Sequence, residues 1–237
     1  MNELPRRIGR SMALGAGWMV LMRWSDHLIG LVSTAILARI LVPGDFGVLT
    51  LAMAIVSMLD MVGEFSVELA LIRDQEAKPH HYDTAFTINL AKSVVFGVAV
   101  LLVADPYAAF MGDERLAEIL PWIALSVAAA GFENIRVVDF RKGMRFDREF
   151  VYTLAPRLLA TILTVVLAFL WADYWALVVG IMARRFLRVV MGYVMIPYRP
   201  RLGFVGFLDI FRFSRWLILR NLILAANRSM DKLILGK

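Results

Sequence analysis

The chain has 237 residues, of which 60% are hydrophobic and 19% charged, with a formal net charge of +6, three His and no Cys. Its mean hydropathy of +0.69 excludes an ordinary soluble domain. The lack of Cys excludes disulfide, haem-thioether and thiolate chemistry.

Apolar runs recur along the whole chain, and each reaches the roughly 20 residues that a bilayer core about 30 Å thick requires. Spans are predicted at 13–40, 46–71, 84–106, 117–138, 151–172, 174–196 and 213–235. The first is broken by Arg23, Trp24 and Asp26, which rules out a cleaved signal peptide and leaves a retained helix. The second carries Asp60, Glu64 and Glu68 at i, i+4, i+8, so one helical face holds three carboxylates. The third holds Lys92, and the fourth Glu133 and Arg136. In the fifth, Pro156 precedes Arg157; within a helix it frees a carbonyl and kinks the axis, a packing device or a hinge. The sixth contains Arg184, Arg185 and Arg188, and the seventh Arg220, Arg228 and Asp231.

Lys and Arg between the spans set the orientation. Arg6, Arg7 and Arg10 precede the first span; Arg73 and Lys78 follow the second; Arg141, Lys142, Arg145 and Arg148 follow the fourth; Arg199, Arg201, Arg212 and Arg215 follow the sixth. The alternate loops are poor in them, which predicts a cytoplasmic amino terminus. The stretches FRKGMRFDREF and RPRLGFVGFLDIFRFSRW interleave Arg with Phe, which suits either a segment in the headgroup layer or ordinary loops with positive-inside charge. These loops and the intramembrane Arg account for the pI of 9.9, so nucleic acid is not implied. His27 is intramembrane and His80 and His81 fall in a cytoplasmic loop; no metal site, phosphate-cradling Gly loop or nucleophile elbow is present in the sequence.

A charged residue at a helix centre costs roughly 2.5 to 3.5 kcal/mol on insertion scales, so these side chains must face one another or water inside a bundle. A rise of about 1.5 Å per residue puts Arg23, Glu64, Lys92, Arg157, Arg188 and Arg220 within about one turn below the midplane, with Asp26, Asp60, Arg184 and Arg185 near it. The layer is net positive. The acids offset part of it, packing pairs such as Arg23 with Glu64 are equally open, and snorkelling is the simpler reading for Glu68 and Arg136. Arg184, Arg185 and Arg188 together exceed what the acids can match, so an anionic ligand is expected.

The segments ILARILVPGDFGVLTLAMAIVSML, GEFSVELALIR, TAFTINL, AFMGDERL, WALVVG, RPRLGF and SMDKLILG, in this order, resemble the amino-terminal half of a bacterial polysaccharide biosynthesis flippase. Such proteins belong to the multidrug/oligosaccharidyl-lipid/polysaccharide exporter superfamily. The resemblance implies an all-α polytopic membrane helix bundle: about fourteen helices in the whole protein, in two lobes around a central cavity. This chain would hold about seven, as a six-helix lobe (1–198), a cytoplasmic interfacial connector (199–212) and the first helix of a truncated second lobe (213–237).

The same resemblance implies translocation of undecaprenyl-diphosphate-linked oligosaccharide across the bacterial inner membrane, with no enzymatic chemistry and no cofactor. Arg23, Lys92, Arg157, Arg184, Arg188 and Arg220 are the expected diphosphate ligands, and Asp26, Asp60 and Glu64 the expected coupling or gating acids. Ser66 stands where the family's acid-x-Gly motif has Gly. Membrane lipids, a missing carboxy-terminal half and a second copy are the other expected partners. Ending at Lys237, the chain reads as a fragment, a truncated frame or half of a split gene. A cation-coupled small-molecule exporter and a non-transporting subunit of a polysaccharide synthesis complex are the alternatives.

Overall fold

The computed structural model describes residues 3–62, 67–74 and 76–205, and for residues 3–14 and 60–62 the backbone alone. The described residues form α1 (Glu3–Leu37), α2 (Pro43–Val62), α3 (Val67–Arg73), α4 (Pro79–Met111), α5 (Arg115–Ala129), α6 (Val138–Lys142), α7 (Phe146–Trp171) and α8 (Trp175–Met195). Among them there is no strand; the protein is a helical membrane bundle. Helices suit this chain because lipid offers no partner to a backbone N–H or C=O, so each segment must satisfy its own.

Three helical segments are long and apolar enough to cross a membrane: Pro79–Met111, Arg115–Phe132 and Phe146–Trp171. Pro43–Leu59 is a shorter apolar stretch. α1 and α8 are long as well but carry Arg23 and Asp26, and Arg184, Arg185 and Arg188, within their lengths.

α4 lies along α5, α5 also meets α8, α8 lies along α7, and α1 packs on the far side of α7. Ile119, Leu120 and Ile123 of α5 fill the space between Val48, Ala52 and Val56 of α2, Val100 and Ala104 of α4, and Val178 of α8. Lipid tails are as apolar as these side chains, so association rests on close packing rather than on escape from water. Small residues set that closeness. A methyl group at Gly97 would lie 2.9 Å from the carbonyl oxygen of Ala124, and one at Gly180 would lie 1.9 Å from Thr164 Oγ1. Outside this core, Leu101, Leu102, Phe169 and Leu170 are exposed, as a lipid-facing surface requires.

Two predicted spans depart from a single helix. The fourth breaks after Ala129 into two 3₁₀ turns, Ala130–Phe132 and Ile135–Val137, before α6. Part of the cause is crowding, because a Cβ on Gly131 would sit 2.8 Å from Leu90 Cα, so α4 and this turn are already in contact. The second span is represented by α2 and α3, with 63–66 outside the described residues. The predicted seventh span, 213–235, lies outside them entirely. α7 runs unbroken through the buried Pro156. His80 and His81, expected in a loop, belong to the first turn of α4, where His81 Nδ1 accepts the Lys78 N–H at 3.3 Å.

At the end of the bundle away from the Arg-rich connectors, Gly112 closes α4 with φ 70°, the left-handed conformation that favours Gly. Asp113 and Arg115 bond there at 2.7 Å, and Arg115 also lies 3.7 Å from Asp45 at the start of α2. The Arg115 guanidinium bonded to Asp113 holds that carboxyl below its ordinary range. Tyr174 stacks on Trp175 beside this cluster and Trp122 meets Trp175 edge-on, a girdle of the kind found at a membrane interface.

Candidate functional site

The break after α5 positions the site. Glu133 and Asn134 are extended, with ψ 137° and 106°, between the two 3₁₀ turns. The buried Asn134 accepts the Arg136 N–H at 3.0 Å and donates to the carbonyls of Gly192 at 2.9 Å and Ile196 at 2.8 Å. One side chain therefore caps the second turn and fastens it to the last turn of α8. Gly192 permits the approach, since a Cβ there would stand 3.0 Å from Asn134 Cβ. Counted from Arg115, the break begins roughly 22 Å along the helix, inside a bilayer core about 30 Å thick. Non-helical backbone at that depth is tolerated where protein or water lines it.

Glu133 is held by α8. Its Oε2 lies 3.2 Å from Arg188 Nε, which also donates to the Tyr152 hydroxyl at 3.2 Å, and the guanidinium covers the Tyr152 ring at 5.3 Å. Arg185, Lys92 and Glu68 are near enough to act on Glu133 electrostatically. Beside it, Arg141 Nε bonds the buried Glu149 at 2.5 Å, and Arg141 Nη1 approaches Glu68 at 3.9 Å, so α6 is tied to α7 and α3. Glu68, Glu133, Arg141, Glu149, Tyr152 and Arg188 line a pocket that also takes in Asn89, Asn134 and Thr153.

The sequence-predicted residues fall around this pocket and along α7 and α8. Arg157 Nη1 pairs with Asp26 Oδ1 at 2.5 Å, and its Nη2 donates to the Asp26 carbonyl at 2.9 Å, joining α7 to α1. Gly30, one turn on, gives the guanidinium room. Arg184 is exposed and within electrostatic reach of Arg157, Asp26, Arg188 and Arg185. Arg23 is exposed on α1, three residues before Asp26 and so on nearly the same face. The chain of charges runs from Asp26 through Arg157, Arg184, Arg185 and Arg188 to Glu133 and Lys92. Glu64, Arg220 and the Asp60 side chain lie outside the described residues.

Arg136, for which snorkelling was the simpler expectation, is instead wedged between the Tyr82 and Tyr198 rings at 5.1 and 5.4 Å. Its Nε is buried and without a hydrogen-bond partner among the described residues. The connector after α8 is strapped to the first turns of α4. The Tyr198 hydroxyl bonds Asp83 at 2.5 Å, the Gly203 N–H donates to Thr87 Oγ1 at 3.0 Å, and Thr84 Oγ1 donates to the Val205 carbonyl at 2.6 Å. The Tyr82 hydroxyl donates to the Asp139 carboxylate at 2.6 Å. Among the described residues no group of three or more His, Asp or Glu could hold a metal ion.

Glu149, Arg141, Tyr152 and Asn134 are site residues that the sequence reading does not select, and Glu133 is one it places inside a span without a role. The signal was the run Gly131–Phe132–Glu133–Asn134, a Gly and an Asn three residues apart within an apolar stretch, which marks a helix end as well as a span.

The chain has relatives among known proteins. The family model described as polysaccharide biosynthesis protein matches residues 36–237. The succinoglycan biosynthesis transport protein ExoT of Rhizobium meliloti is 25% identical over 84% of this chain and 40% of its own length. The lipopolysaccharide biosynthesis protein WzxC of Escherichia coli is 25% identical over 94% of this chain and 46% of its own length. The chain thus spans less than half the length of either relative. No solved structure matches it. The match over most of its residues, in a helical membrane bundle, means that the chain belongs to the polysaccharide biosynthesis protein family.

Proposed function

We propose that this chain forms one lobe of a membrane transporter that carries a lipid-diphosphate-linked oligosaccharide from the cytoplasmic to the outer leaflet of the bacterial inner membrane. The observation that carries the reading is the row of cations on α7 and α8, in which Arg157 and Arg184 lie near one carboxylate, Asp26, and Arg185 and Arg188 continue the row toward Glu133. Two phosphates take about two or three cations, and guanidinium matches phosphate oxygens bidentately. Arg184, with Arg23, Lys92, Arg188 and Arg220, receives the diphosphate; Arg157 joins when its bond to Asp26 opens, which makes Asp26 the gating acid, with Asp60 and Glu64 as the further coupling acids. The pairing of Asp26 with Arg157 works against an acid-centred ion exporter, which needs its carboxylates open.

In this arrangement residues 1–198 are the lobe, 199–212 a connector at the cytoplasmic surface and 213–237 the entry to a second lobe, with the amino terminus inside. The relatives named for polysaccharide transport and lipopolysaccharide biosynthesis support the same assignment. The test is allelic replacement in the encoding cell. Arg184→Ala and Arg23→Ala each remove a charge-assisted phosphate contact, so polysaccharide export should fall about tenfold or more. Normal export in both variants, at normal membrane levels, would overturn the assignment.

A further inference from the structure

After α8 the chain runs without helix over residues 197–204, and α4 holds it there. Asp83 accepts the Arg201 N–H at 3.2 Å, Thr87 Oγ1 accepts the Gly203 N–H at 3.0 Å, and Thr84 Oγ1 donates to the Val205 carbonyl at 2.6 Å. These bonds recur at every second residue, so one edge of the connector's backbone is turned to α4 and satisfied there. Non-helical backbone beside lipid needs protein to take up its polar groups, and the side chains of α4 do so for these three.

The face of α4 that the connector covers is continuous with a lipid-facing one. Thr84 and Thr87 are buried, while Val94, Val95, Val98, Leu101 and Leu102, which continue the same face at helical spacing, are exposed. Asn89, which lines the pocket, stands on the opposite side of the helix. Counted along the axis from Val95, the midpoint of α4, Thr87 and Thr84 lie about 12 and 17 Å away. Half of a bilayer core is about 15 Å thick, so the connector is held at the boundary between acyl chains and headgroups.

The side chains on its outer edge match that depth. Leu202 and Val205 are 72% and 69% exposed, and Arg199 and Arg201 are exposed beside them. Around Tyr82 and Tyr198, Arg136, Lys142, Arg199 and Arg201 stand against Asp74, Asp83 and Asp139, which leaves this end positive. Asp83 and Asp139 are moreover taken by the two tyrosine hydroxyls. Apolar side chains at the acyl boundary with guanidinium just outside it suit a phospholipid surface, the apolar part in lipid and Arg at the headgroup phosphate.

We propose that residues 199–205 are a membrane-surface anchor: Leu202 and Val205 enter the acyl boundary of the leaflet at the Arg-rich end, and Arg199 and Arg201 bond the headgroup phosphates of anionic phospholipid. The anchor is independent of what the lobe transports. It fixes the depth at which the chain leaves α8 for the residues that follow.

The test is site-directed spin labelling of the full chain in nanodiscs of phosphatidylethanolamine and phosphatidylglycerol. The chain has no Cys, so Leu202→Cys and Val205→Cys each place a single label. Leu102→Cys on the exposed stripe and Glu76→Cys in the exposed turn before α4 give the lipid and water references. Both connector labels should meet oxygen more than the neutral, water-soluble nickel complex of ethylenediamine diacetate, at a depth between the two references. Water access equal to that at position 76 overturns the anchor, as does depth equal to that at position 102, or shielding from both reagents by protein.

A second arm tests the lipid chemistry. Each Arg near an anionic surface shifts the seating equilibrium roughly fivefold. Arg199→Gln combined with Arg201→Gln, and separately the exchange of phosphatidylglycerol for phosphatidylcholine, should therefore each move both labels toward water. Circular dichroism and an unchanged label at position 102 establish that the bundle is intact. Labels that keep their depth in both experiments would overturn the assignment of Arg199 and Arg201 to anionic lipid.

Discussion

Replacing Glu133 by Gln removes the carboxylate that stands 3.2 Å from Arg188 Nε and leaves the guanidinium with Tyr152 alone. Breaking a buried ion pair by deleting one partner costs about 3–5 kcal/mol. Here Glu133 is 17% exposed and Arg188 41%, so the cation regains solvation in the groove. The remaining contact with the Tyr152 ring at 5.3 Å returns about 0.5–1 kcal/mol. The expected destabilisation is therefore about 1–3 kcal/mol, below the range for a fully buried pair. A double-mutant cycle with Arg188→Met isolates the pair: the coupling should be about 1–2 kcal/mol, because the double variant leaves no orphaned charge. The assay is equilibrium unfolding of the purified chain in mixed micelles titrated with SDS, followed by far-UV circular dichroism. Effects that add to within about 0.5 kcal/mol would mean that Glu133 and Arg188 are not partners and would refute this part of the site.

Gly180→Ala should destabilise by about 1–3 kcal/mol through overpacking at Thr164, and Thr164→Ala, which removes the clashing Oγ1, should rescue it in the same assay. Asn134→Ala takes the side-chain donor from the Ile196 carbonyl and leaves the Gly192 carbonyl with the Ile196 N–H alone, so a loss of about 1–3 kcal/mol is expected, together with faster hydrogen exchange at residues 130–137. Because Arg115 holds the folded-state carboxyl of Asp113 below its unfolded value, the pair's contribution is present above the ordinary carboxylate range and is lost as pH falls through the lowered value. Wild-type chain should therefore lose thermal stability on acidification more steeply than Asp113→Asn, and parallel curves would contradict this. Tyr198→Phe removes the bond to Asp83 and should raise proteolytic cutting of the connector at Arg199 and Arg201.

The fold was legible where one physical requirement dominates. Apolar length alone located the middles of α4, α7 and α8, since only a helix satisfies a backbone in lipid. It failed at the fourth span, because a hydropathy window does not register a Gly131 pressed on Leu90 or an Asn134 that trades helix hydrogen bonds for carbonyls of α8. The cations of α7 and α8 stand out in the sequence because lipid penalises them wherever they point. Their partners do not stand out: the pairing of Arg157 with Asp26 depends on α1 and α7 packing side by side, and that of Arg188 with Glu133 on the break that turns residue 133 toward α8. Arg141, Glu149 and Tyr152 near the connector read as ordinary interfacial residues until α6 and α7 bring them to one pocket.

The most direct test of a lipid-linked saccharide seated on the cationic row is photocrosslinking in membranes with a prenyl-diphosphate sugar bearing a diazirine on its first isoprene unit, next to the phosphates. Adducts on peptides containing residues 152–157 and 184–188, suppressed by inorganic pyrophosphate and lost in Arg184→Ala, are the predicted result. Adducts confined to the outward apolar surface around Leu101, Leu102, Phe169 and Leu170, insensitive to pyrophosphate, would show the lipid meeting this protein only as solvent and would contradict the account.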